Sequence, residues 1–104
     1  MTLDEKKSLD QIKKLSESML DLVNIGKWES ITDIEEKRQG LLDEFFLNPV
    51  SEEDSQYIAE IIQQVLQINN DITKILEQNK KQLVTEFRQF KSSQKATKAY
   101  LSNL

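Results

Sequence analysis

Residues 58–90, "IAEIIQQVLQINNDITKILEQNKKQLVTEFRQF", decide how this chain folds. Apolar side chains recur there at three- and four-residue steps, from Ile58, Ile61, Val65, Ile68, Ile72, Ile75 and Leu76 to Leu83, Phe87 and Phe90, with Asn79 on the same line. That spacing keeps one face of an α-helix apolar. Neither glycine nor proline interrupts the run, so it predicts a single helix from about residue 51 to residue 90, roughly 60 Å long. Its apolar positions cover about half of the helical circumference, more than the ~100° stripe of a surface helix. Tyr57, Ile61, Ile68 and Ile75 form one flank, and Ile62, Leu66 and Val84 the other. Part of this width is core. The remainder reads as an exposed groove of the kind that seizes an amphipathic partner helix.

Two shorter helices precede it. Thr2-Leu3-Asp4-Glu5 has the form of a capping box, and Leu9, Ile12, Leu15, Met19, Leu22 and Val23 follow on one stripe. Gly26 suits the C-terminal turn of this helix, where a left-handed residue is needed. The next stripe is Trp28, Ile31, Ile34, Arg38, Leu41, Leu42 and Phe45. So short a connection makes the two helices an antiparallel hairpin. Pro49 ends the second helix, and Ser51 with Glu52, Glu53 and Asp54 caps and charges the start of the third. Ser92-Ser93 is expected to break the long helix. Beyond it Ala96, Tyr100 and Leu104 give a short, weakly held amphipathic tail. The expected fold is all-α: a helical hairpin packed on a long third helix, with a short C-terminal helical tail. Residues 1–104 form one domain, whose tail over 93–104 is the mobile part.

Composition narrows the function. A chain of 104 residues with 38% hydrophobic side chains builds a modest core and no large enclosed active site. Cysteine and histidine are absent, which excludes disulfides, thiolate metal sites and the usual general base near neutral pH. No cofactor or metal is expected. No apolar run has the length of a membrane span and the charged start is unlike a signal peptide, so the chain is expected to be cytoplasmic. Residues 1–77 carry 17 acids against 8 bases, whereas residues 78–104 carry 6 bases against Glu86 alone. A basic helix end complements the helix dipole; alternatively, the basic tail is drawn to the acidic body. Nucleic acid fits poorly, because Arg38 and Arg88 are the only arginines and the net charge is −4.

The acidic runs Glu35-Glu36 and Glu52-Glu53-Asp54 read as solvated helix faces, since neighbours on a helix diverge. Small all-helical chorismate mutases have about this length, but they grip a dianionic substrate with several inward-facing cations. Here only Arg38 lies on a core stripe, so no enzyme activity is expected. Arg38 is either a snorkelling side chain or a fixed polar anchor that orients the hairpin or grips a partner. Trp28 is expected to plug the turn between the first two helices.

The stretch "MLDLVNIGKWESITDIEEKRQGLLDEFF", residues 19–46, resembles the opening hairpin of the FliT-type flagellar export chaperones. Gly26-Lys27-Trp28 matches the family's "G-x-W" step, followed by Glu35, Glu36, Arg38 and the Leu41-Leu42 pair. "KATKAYLSNL", residues 95–104, is similar to the family's basic, tyrosine-containing end. The resemblance implies a small cytoplasmic chaperone that binds the C-terminal segment of the filament-capping protein, prevents its premature assembly and delivers it for type III export. It also brings in export-ATPase components and a flagellar transcription regulator as further partners. A C-terminal helix would cover the binding surface in the free protein. Ile61, Ile68, Ile72, Ile75, Leu76 and Leu83 are then the expected client contacts, with Tyr100, Leu101 and Leu104 as the autoinhibitory tail. The alternative is a structural coiled-coil module that forms homo-oligomers through the third helix.

Overall fold

A computed structural model of the chain describes residues 1–81, 83–102 and 104. It is an all-α bundle of α1 (Leu3–Asn24), α2 (Ile31–Phe45), α3 (Glu52–Gln78) and α4 (Val84–Ser102), with a short 3₁₀ turn at Trp28–Ser30. The bundle measures 44 × 22 × 18 Å, and the 27-residue α3, roughly 40 Å long, sets its long dimension. α1 packs against both α2 and α3, and α4 lies mainly on α3.

The helix ends form where local chemistry demands them. Thr2 Oγ1 accepts from the Glu5 amide at 3.1 Å while the Glu5 carboxylate reaches back to the Thr2 amide, which closes the capping box. Gly26 sits at φ +78°, with the Lys27 and Gly26 amides donating to the Leu22 and Val23 carbonyls. That turn reverses the chain into the hairpin. Trp28 is half-buried against the core beside it. At the other end Ser51 Oγ accepts from the Asp54 amide at 3.3 Å, ahead of three consecutive acids in the first turn of α3.

The long helix expected to run to residue 90 does not exist. α3 ends at Gln78, and the segment expected to continue it returns along it as α4, which begins at Val84. Only Asn79 bridged the stripe between Leu76 and Leu83. Its side-chain amide donates to the Ile75 carbonyl at 2.9 Å, a local bond that ends a helix rather than extends it. The polar run Glu77-Gln78-Asn79-Lys80-Lys81 gives the helix nothing to bury there. Turning back seats Leu83, Phe87 and Phe90 against Met19, Val23, Ile31, Ile72 and Leu76. Each large apolar side chain so buried contributes about 1.5–3 kcal/mol, more than the few helical hydrogen bonds the turn gives up. Ser92-Ser93 consequently breaks nothing; both lie inside α4, and the segment expected as a separate tail is its second half.

The core has two parts stacked along the bundle. One gathers Leu9, Ile12, Leu42, Phe45, Ile58, Ile62, Val65 and Leu66; the other is the cluster around Phe87 and Phe90.

Candidate partner face and its buried arginine

Arg38 is a buried side chain, at 0% exposure, and the snorkelling alternative is excluded. Its Nη1 donates to Ser16 Oγ at 3.0 Å and to Asn69 Oδ1 at 2.6 Å, and its Nη2 pairs with Glu35 Oε2 at 2.6 Å. Its guanidinium carbon lies 5.5 Å from the centre of the Phe90 ring. One cation therefore touches all four helices: Ser16 on α1, Glu35 on α2, Asn69 on α3 and Phe90 on α4. Ser16 serves as acceptor because its own hydroxyl proton is spent on the Ile12 carbonyl, at 2.8 Å. Burial pushes the Arg38 guanidinium below its usual pKa while Glu35 draws it back up; arginine stays charged at neutral pH. Among the described residues, Arg38 Nε and Asn69 Nδ2 have no hydrogen-bond partner. Desolvation offsets most of the attraction within such a buried pair, so its net contribution to stability is small even though removing one partner is costly.

The network continues into α4. Ser93 Oγ donates to Glu35 Oε1, the carboxylate oxygen that Arg38 leaves free. Gln94 Nε2 donates to Asn70 Oδ1, and Thr73 Oγ1 lies 3.4 Å from Gln94 Oε1. Farther along, the Tyr100 ring stacks on Phe46 at 4.6 Å and 7°, and its hydroxyl donates to an Asp43 carboxylate oxygen. Leu101 and Leu104 pack against the first core cluster. Charge pairing does not hold the helix: among the described residues the lysines and the arginine of α4 form no salt bridge. Its polar ties are hydroxyls and amides.

The bond to Asp43 pushes the Tyr100 phenol up to about 12, with burial and the nearby charge acting in the same direction. The fold thus favours the protonated phenol. That contribution is complete below the ordinary range near 10 and is lost as pH rises through about 12. In a Tyr57→Phe chain, where Tyr100 is the remaining tyrosine, phenolate absorbance is expected to appear with a midpoint near 12. A midpoint near 10 would show that the bond to Asp43 does not form in solution.

The expected client contacts fall into two sets. Ile61, Ile68 and Ile75 are half-buried at the edge of the core. Ile72 and Leu76 are fully buried and Leu83 nearly so, in the cluster that α4 completes. Ser16, Glu35, Asn69 and Ser93 were not expected at the site. A signal for two of them existed: each early stripe holds one polar residue in core register, as in Ile12–Ser16–Met19 and Val65–Asn69–Ile72, opposite the Arg38 of α2.

Among the described residues no helix is long and apolar enough to cross a membrane. Neither the curated proteins nor the solved structures contain a match to this chain. A family model described as "Flagellar protein FliT" matches residues 6–103, nearly the whole chain. With that match spanning all four helices and the hairpin that carries Trp28 and Arg38, the chain belongs to the FliT family of flagellar proteins.

Proposed function

We propose that the chain is a cytoplasmic, non-catalytic export chaperone that binds the C-terminal segment of the filament-capping protein, with α4 as a displaceable cover. The observation that carries this reading is the uneven packing of the bundle. α3 buries seven residues, six of them aliphatic, whereas α4 buries Phe87, Phe90, Gln94 and Thr97. A helix held by a few aromatic and apolar contacts and by hydroxyl and amide donors, with no salt bridge among the described residues, is the element a client helix can replace. Lifting it uncovers Ile72 and Leu76 beside the half-buried Ile68 and Ile75, and so turns core into binding surface. Leu83, at the turn into α4, leaves with the cover. Export-ATPase components and a flagellar transcription regulator remain further partners under the same reading. Self-association through an overlong third helix has less support, because α3 ends with its stripe packed against α1 and α4.

Calorimetric titration of the full chain with the C-terminal segment of the filament-capping protein from the same organism tests the reading. A one-to-one complex is expected, lost in Ile68→Asp while that variant keeps its helical circular dichroism, because the charge enters a desolvated contact. No heat of binding to the wild-type chain would reject the assignment.

A further inference from the structure

The surface beneath α4 is apolar at both ends and polar at its centre, and the centre is chemically particular. Glu35 keeps 13% side-chain exposure; one of its oxygens is committed to Arg38 and the other accepts from Ser93. Phe90, one helical turn earlier, places its ring over the same guanidinium. Phe90 and Ser93 thus stand at i and i+3 on one face of α4, one reading the cation and the other the anion of a single buried pair. The chain's own helix shows what this face accepts.

We propose that the face selects its partner by that pattern: the segment that displaces α4 is an amphipathic helix laid in the same direction and carrying aromatic-x-x-Ser/Thr. The ring covers Arg38 and the hydroxyl donates to Glu35. The proposal rests on the reading of α4 as a displaceable cover and adds the chemistry of what displaces it. An aliphatic side chain at the hydroxyl position leaves the part-buried Glu35 oxygen without its donor. An acid there opposes Glu35, and a lysine sets a second cation beside Arg38. An aliphatic residue at the ring position forfeits the guanidinium contact. Apolar surface supplies attraction along the whole helix, while this pair fixes the register, because sliding by one residue moves both groups off their partners.

The test uses labelled synthetic peptides of residues 84–102 and the full-length chain carrying Tyr100→Ala, which loosens α4 at the end away from Arg38. Fluorescence anisotropy reads the affinity. Peptides with Ser93→Thr or Phe90→Trp are expected to bind like the parent. Ser93→Val is expected to bind about tenfold more weakly or worse, and Ser93→Asp more weakly still. Should Tyr100→Ala fail to fold, Leu101→Ser provides the loosened chain. Equal binding of the Ser93, Ser93→Val and Ser93→Asp peptides, or no binding of the parent, would overturn the proposal. The filament-cap segment, titrated in parallel, separates the two ideas. If it binds without competing with the parent peptide, the selection rule is wrong and the chaperone reading survives. If the peptides obey the pattern and the segment does not bind, the selection rule stands and the client assignment falls.

Discussion

Replacing Arg38 with alanine is expected to remove about 3–5 kcal/mol of folding stability, the cost of breaking a buried ion pair from one side. The loss has an identifiable destination. Glu35 Oε2 and Asn69 Oδ1, both accepting from the guanidinium at 2.6 Å, lose their donor in a site too dry to supply water cheaply. A domain of this size holds about 5–15 kcal/mol in total, so the variant sits near the edge of folding. Arg38→Met combined with Glu35→Gln is expected to recover much of the loss, because no unpaired charge remains and an amide still accepts from Ser93. Urea unfolding followed by circular dichroism distinguishes the cases. A single-variant loss below about 1 kcal/mol would mean the pair is no more important than a surface salt bridge.

The second large effect belongs to Phe90, which is 2% exposed and stands at the junction of α4 with the second core cluster. Phe90→Ala is expected to weaken α4 docking by about 3–5 kcal/mol, combining the lost burial with the cavity beside Arg38. Because α1, α2 and α3 keep their mutual packing, the damage should be local. Amide hydrogen exchange is expected to accelerate along α4 first, with protection in α1 and α3 largely retained. Client affinity should rise by the factor with which the closed state had suppressed it. Uniform loss of protection across all four helices would show that α4 is an integral part of the core and not a cover. The gain should vary only modestly with ionic strength, since among the described residues α4 forms no salt bridge and its bonds to Glu35 and Asp43 come from uncharged hydroxyl donors.

The helical character of the chain, the hairpin and the caps were legible in the sequence, because each depends on side chains within a turn or two of one another. Thr2 with Glu5, Gly26 ahead of Trp28, and Ser51 ahead of three acids act on their own backbone and need no partner elsewhere. Periodicity likewise placed Ile72 and Leu76 on an inward face. It could not say whether the stripe from Ile58 to Phe90 belonged to one helix or two. A 3.6-residue period continues unchanged through Asn79 on paper, whereas the chain's choice at that point depends on what the distal half can bury. Only the packed bundle supplies that: Met19, Val23 and Ile31 offer a surface for Phe87 and Phe90, and the chain folds back to reach it. The role of Arg38 was hidden for the same reason. Its position on the stripe was evident, but a cation among apolar residues either snorkels or finds partners, and those partners lie on three other helices. Sequence fixes local backbone preference; the destination of a buried charge is decided by which helices meet around it.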